Sequence, residues 1–195
     1  MINQFISLVL VNKNGQENLI PAIDSLSKQL SEISSQFELI IIDNSSTDNS
    51  VSILEELSLN KNYKNIQVYV LSYSVDIETA AWVGIENALG DFVCVYDYYP
   101  EDSNLIHELL NEAVSGFDYV YVKNPEHEKV NFSYKILRES FYLIYKLINR
   151  KSIEKNNPRF KVLSKNLVNY ILKYQEPIIK YKFLRSDSVF SSKEI

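Results

Sequence analysis

Residues 40–50 read IIIDNSSTDNS. Three β-branched apolar residues close a buried strand, an aspartate stands at its end, and short hydroxyl and amide residues follow. Val51, Leu54 and Leu57 then recur at helical spacing, with Ser46 or Thr47 in place to cap that helix. Strand, polar turn and helix start form a compact polar pocket around Asp43. Its carboxylate can accept hydrogen bonds from a base edge or a ribose. Alternatively, Asp43 and Ser46 satisfy backbone groups at the turn. Spacing alone leaves both readings open.

The same alternation runs outward in both directions. Residues 5–11, 37–43, 66–71, 92–97 and 119–123 are short, apolar and rich in Val, Ile, Phe and Tyr, and predict strands buried on both faces. Leu19, Ile23, Leu26, Leu30 and Ile33 predict an amphipathic helix over 17–34. A helix over 77–89 carries Ala80, Ala81, Gly84 and Ala88, small enough to lie close on a sheet, and another spans 102–114. Strand–helix alternation with short links predicts an α/β fold with a mostly parallel sheet covered on both faces. In such sheets ligands bind at the carboxyl ends of the strands, which directs attention to residues 12–14, 43–47, 72–76 and 97–101.

After Glu128 the character changes. Residues 132–149 predict a strongly apolar helix, 159–163 a short strand and 167–172 a further helix, while the polar last ten residues are expected to fray. Charge changes at the same place. Residues 1–130 hold 6 Lys/Arg against 20 Asp/Glu, a balance of −14, and residues 131–195 hold 14 against 5, a balance of +9. Two parts follow, an α/β body over 1–130 and a basic, helix-rich extension over 131–195 packed on it. The basic part either packs against the acidic body, or a second copy of it, or faces phosphate groups at a lipid surface. A body this acidic repels nucleic acid.

Several classes are excluded. The four glycines, Gly15, Gly84, Gly90 and Gly116, are too far apart to build a glycine-rich phosphate loop. No Cys/His cluster has zinc spacing; His107 falls on a polar helix face, and His127 follows a strand. The lone Cys94 lies in an apolar run, reads as a buried thiol and suits a reducing, cytoplasmic setting. No apolar run approaches the roughly 18 residues of a membrane span, and no secretion signal is expected at the N-terminus.

SLVLVNKNGQENL (7–19), IIIDNSSTDNS (40–50) and AAWVGIENALGDFVCVYD (80–97) resemble, in order and spacing, the blocks of family 2 glycosyltransferases, with the flavour of the polyprenyl-phosphate sugar transferases. ILRESFYLIYKLIN (136–149) and RFKVLSKNLVNYIL (159–172) resemble their C-terminal part. The resemblance implies a GT-A fold that binds a nucleotide-sugar donor, UDP- or GDP-linked, with Mg²⁺ or Mn²⁺ on the diphosphate. It places Val11, Asn14, Asp43, Asn44 and Ser74 at the nucleotide. Asp97 matches the first aspartate of the Asp-x-Asp metal motif, and Tyr99 replaces the second. Asp91, Glu101 and Asp102 are the nearby carboxylates that would have to compensate. Arg159 and Lys161, where lipid-carrier enzymes have Asp-Phe-Arg, would neutralise the leaving diphosphate. Lys123 and Arg138 would hold an acceptor phosphate.

Two functions follow from that resemblance. The chain transfers a sugar from a nucleotide sugar to a glycan or polyprenyl-phosphate acceptor, meeting the membrane face peripherally. Alternatively, it keeps the fold as a non-catalytic subunit, a homodimer or the partner of an active transferase. Fourteen tyrosines would suit such an interface.

Overall fold

The computed structural model describes residues 1–60, 63, 65–96, 105–122, 158, 160–182, 184 and 189–195. The expected helix at 132–149 lies outside them, as do Asp97, Tyr99, Glu101, Asp102, Lys123, His127, Arg138 and Arg159.

Seven strands form one sheet: β1 (Ile6–Asn12), β2 (Phe37–Asp43), β3 (Ile66–Val70), β4 (Phe92–Tyr96), β5 (Tyr119–Tyr121), β6 (Lys161–Ser164) and β7 (Ser192–Glu194). Their order is β3-β2-β1-β4-β6-β5-β7. All run in one direction except β6, which is antiparallel to both β4 and β5. The α/β, mostly parallel, GT-A-like sheet expected from the sequence is therefore present. Among the described residues the helices are α1 (Leu19–Ile33), α2 (Ser50–Leu59), α3 (Ile77–Asn87), α4 (Leu105–Val114), α5 (Lys165–Leu172) and α6 (Pro177–Lys182).

Strand alternation sorts the core into two layers. Leu8, Leu10, Leu39, Ile41, Cys94 and Val162 face α1, α2 and α4. Val9, Ile40, Ile42, Val93, Val95 and Leu163 face α3, α5 and α6. The buried face of α1 is Leu19, Ala22, Ile23, Leu26, Leu30 and Ile33, the stripe legible in the sequence. The small residues of α3 serve close approach: a Cβ on Gly84 would stand 2.5 Å from Val9 Cγ1. Burial pushes the Cys94 thiol well above its ordinary range, as suits an inert core group.

Two expectations change, and a third holds with a placement the sequence did not give. β3 is half-buried, not covered on both faces, because it is an edge strand. The C-terminal end does not fray: Ser192–Glu194 pair in parallel with β5 at the opposite edge, and Lys193 bonds Glu112 at 2.7 Å. The strand expected at 159–163 does form, but it is inserted between β4 and β5 with reversed direction. That reversal puts Lys161, opposite Val95 and Tyr121, at the end of the sheet where the parallel strands finish.

Candidate functional site

The first strands lie in the order β3-β2-β1-β4, so the chain moves outward from β1 to β3 and then crosses back to β4 on β1's other side. The strand order reverses between β1 and β4, and an open-sheet fold takes its ligand at the carboxyl ends of the strands beside that point.

Asp43 ends β2 fully buried. Its Oδ1 accepts from Asn12 Nδ2 at 2.9 Å and from Ser46 Oγ at 2.6 Å, and its Oδ2 accepts from the Ser46 backbone N–H at 2.9 Å. The carboxylate is thus engaged by the end of β1 and by its own turn. Ser46 is spent there and on the Asn14 backbone N–H, 2.9 Å from its Oγ, so it does not cap α2. Thr47 does not cap it either, since α2 opens after Asn49 and Asp48 Oδ1 accepts from the Ser50 N–H at 3.0 Å.

Asn14 and Ser45 adopt left-handed backbone, with φ of 51° and 56°. Asn tolerates that region better than most residues. Asn14 Oδ1 accepts from the Thr47 N–H at 2.8 Å, tying the two loops together. Gly15 follows where a Cβ would stand 2.4 Å from Asn12 Oδ1, so a side chain there would break into the Asn12–Asp43 contact. Beside these loops lies an open cleft of about 420 Å³ lined by Asn14, Gly15, Gln16, Glu17, Asn18, Thr47 and Asp48.

Asn44, also buried, acts like a strand edge. Its Nδ2 donates to the Val75 carbonyl at 2.8 Å and its Oδ1 accepts from the Val75 N–H at 2.9 Å. An aspartate could accept but not donate there, which gives a physical reason for the amide. This clasp draws the segment after β3 back across the strand ends. Ser74, exposed on it, accepts from Lys13 Nζ at 2.7 Å, so β1 and β3 loops meet over β2. Val11 is half-buried on the α3 face with Leu71 and Val75. The expected nucleotide residues Val11, Asn14, Asp43, Asn44 and Ser74 are therefore gathered at one end of the sheet.

Lys161 departs from its expected posture. Its side chain is 1% exposed, its Nζ lies 3.0 Å from Glu78 Oε2, and it stands 4.4 Å from the Tyr181 ring centroid. Burial lowers its affinity for the proton, and the Glu78 carboxylate works against that shift. Its charge is balanced inside the protein, not held out toward the open end of the sheet. His107 is exposed and meets Asn111 one turn on, in keeping with a surface role. Asn12 and Lys13 lie in the strand-end segment 12–14 to which the sequence pointed, though it gave them no role, whereas Glu78 and Lys182 were not anticipated. The first two were visible as the polar end of a strand, but the others show their place only through long-range packing.

Fold and strand-end polar loops define an α/β protein whose mostly parallel sheet gathers its polar loops at one edge. The sequence profile of Glycosyl transferase family 2 matches residues 7–173, and the chain belongs to that family. It is 24% identical over 172 residues to an uncharacterised glycosyltransferase of Synechocystis sp., covering 88% of this chain and 54% of the relative. It is 26% identical over 170 residues to a prophage bactoprenol glucosyl transferase homologue of Escherichia coli, covering 85% and 54%. The chain thus spans about half the length of these curated relatives. Among solved structures it is similar to a mannosyltransferase of Pyrobaculum calidifontis in complex with GDP-Man and Mn²⁺, with a TM-score of 0.64 at 12% identity, covering all of this chain and 55% of the other. At that identity the likeness speaks for the fold.

Proposed function

We propose that the chain is the donor-binding domain of a sugar transferase that moves a hexose from a UDP- or GDP-sugar to a polyprenyl-phosphate acceptor in cell-surface glycan or glycolipid synthesis. The observation that carries this reading is the gathering of Val11, Asn14, Asp43, Asn44 and Ser74 at the strand ends of a family 2 chain. Val11, Asn14 and Ser74 present groups to the nucleotide. Asp43 and Asn44 hold the loops in shape, since their polar atoms already meet Asn12, Ser46 and Val75. The relative named as a bactoprenol glucosyl transferase homologue supports a lipid-phosphate acceptor.

Inverting transfer is one displacement, with an acceptor phosphate oxygen attacking the anomeric carbon in line with the departing nucleoside diphosphate. A phosphate acceptor is already anionic and needs no strong base. Lys123 and Arg138 are assigned to hold it, and Arg159 to meet the leaving diphosphate. The metal set offered by the sequence is Asp97 with Tyr99, one carboxylate and one phenol. Among the described residues no three acidic, His or Cys side chains come together as ligands. That set fits Mg²⁺ or Mn²⁺ poorly, as both favour several hard oxygen donors, so charge on the leaving group falls chiefly to cations of the chain. No helix among the described residues is long and apolar enough to cross a membrane. The lipid acceptor would be met at the cytoplasmic membrane face, with the basic C-terminal part toward anionic headgroups.

The test is transfer of labelled sugar from UDP- and GDP-hexoses to polyprenyl phosphate in mixed micelles, with Asp97→Asn alongside. Lipid-linked product from wild type is expected. Absence of product with every donor would contradict the reading.

A further inference from the structure

Three lysines from three separate elements end on one short segment. Lys13, in the loop after β1, donates to Ser74 Oγ at 2.7 Å. Lys182, on α6, lies 3.0 Å from the Asp76 carboxylate. Lys161, the first residue of β6, lies 3.0 Å from Glu78 Oε2. Their partners are alternate residues, 74, 76 and 78, of the stretch that leads from β3 into α3. Asn44 pins the middle of that stretch at Val75, above the end of β2. Lys161 and Lys182 come from the basic residues 131–195 and meet carboxylates, whereas Lys13 is one of only 6 Lys/Arg in residues 1–130 and meets a hydroxyl.

The three are not equivalent. Lys161 is sealed in, 1% exposed, against a carboxylate. Lys182 is 33% exposed, and its partner Asp76 has a separate duty. Asp76 caps α3, accepting from the Thr79 N–H at 3.1 Å and from Thr79 Oγ1 at 2.6 Å, and that cap survives if Lys182 swings away. Lys13 is exposed and its hydrogen-bond partner is a neutral hydroxyl, so the contact does not offset its charge. Two cations are thus free to exchange partners while the third stays fixed.

We propose that Lys13 and Lys182 are the diphosphate-binding cations of the donor site, moving from Ser74 and Asp76 onto the phosphate oxygens, while the Lys161–Glu78 pair holds the first turn of α3 in place. The proposal rests on the donor-binding reading above. A lysine is suited to the exchange because its ammonium is a compact charge with three donors on a flexible stem. Charge-assisted bonds to phosphate are stronger than the bond Lys13 makes to a hydroxyl. Together the two lysines supply charge at the strand-end edge, in a chain whose Asp-x-Asp position reads Asp97 and Tyr99.

The experiment is calorimetric titration of the full chain with UDP, GDP, inorganic pyrophosphate, uridine and guanosine. Wild type is compared with Lys13→Met, Lys182→Met and Asp76→Asn. Each lysine variant is expected to weaken diphosphate and pyrophosphate binding about tenfold and to leave nucleoside binding unchanged. Asp76→Asn keeps a capping side chain but loosens its hold on Lys182, and is expected to tighten pyrophosphate binding. If wild type binds a nucleoside diphosphate and neither lysine variant alters its affinity, the cation assignment falls and the donor reading stands. If wild type binds neither nucleotide nor pyrophosphate, both fall.

Discussion

Lys161 Nζ and Glu78 Oε2, 3.0 Å apart, join the first residue of the reversed strand β6 to the first turn of α3, with the lysine side chain only 1% exposed. Desolvating two charges is costly, and their attraction offsets that cost only while both are present. Removing one partner leaves the other buried and uncompensated. Glu78→Gln is expected to destabilise the fold by about 3 kcal/mol. The double variant Lys161→Met with Glu78→Gln should recover much of that loss. Urea denaturation of the two single variants and the double gives the coupling; additive losses would show that the pair acts as two independent residues.

Asp43 gathers Asn12 and both polar groups of Ser46 without exposure to solvent. Asp43→Ala removes the acceptor and strands those donors, with an expected loss of about 2–3 kcal/mol. Nucleotide affinity should fall as well, because the loop carrying Asn14 is held through Ser46. A variant that loses neither stability nor affinity would contradict the role given to this carboxylate.

The opposite end of the sheet has its own buried carboxylate, and it serves as a control. Glu38, 5% exposed, accepts from Ser7 Oγ, from Gln67 Nε2 at 2.6 Å and from the Leu89 N–H at 2.7 Å. Glu38→Ala is expected to cost about 2–3 kcal/mol by stranding these donors. Ligand affinity of the protein that remains folded should be unchanged, since this cluster lies far from the strand carboxyl ends. Weakened binding in folded Glu38→Ala would count against that separation.

Close packing of α3 makes a sharper prediction. Gly84→Ala would place a methyl 2.5 Å from Cγ1 of the fully buried Val9. Overpacking of this kind costs about 1–3 kcal/mol. Adding Val9→Ala should return part of it by making room. Thermal unfolding of the single and double variants checks the sign: a double variant less stable than both singles would exclude the steric account.

Asp76 gives a pH dependence. Burial opposes its ionisation, but hydrogen bonds from Thr79 and Lys182 outweigh it and hold the carboxyl below its ordinary 3.8. A carboxylate with a depressed folded-state pKa contributes stability above the unfolded value and loses it as pH falls through the folded one. The side chain is 56% exposed, so salt and solvent keep the effect small. The stability gap between wild type and Asp76→Asn is expected to shrink as pH falls below 3.8; a gap constant through that window would remove the charge from the explanation.

Much of this architecture was legible because local periodicity records which face of an element is buried. The stripe Leu19, Ile23, Leu26, Leu30 and Ile33 gave α1, and the Ile-rich run before Asp43 gave β2 and its polar end. Periodicity does not record partners. Nothing in residues 159–163 says that they enter between β4 and β5 in reverse. Nothing near Lys161 announces Glu78, 83 residues earlier. The polar Ser192–Glu194 looks like a loose end until β5 offers it an edge. At the site, the residue types around 40–50 marked a pocket, but only the geometry shows Asp43 and Asn44 bound to the loops they shape.

The most direct test of the central claim is calorimetric titration of the chain with UDP, GDP, CDP and dTDP, each with and without Mn²⁺. A donor site built on these strand ends predicts saturable one-to-one binding of at least one of the four, persisting when the metal is withheld because lysines carry much of the phosphate charge. Failure of all four to bind, with or without Mn²⁺, would contradict the assignment of this edge as a nucleotide-sugar site.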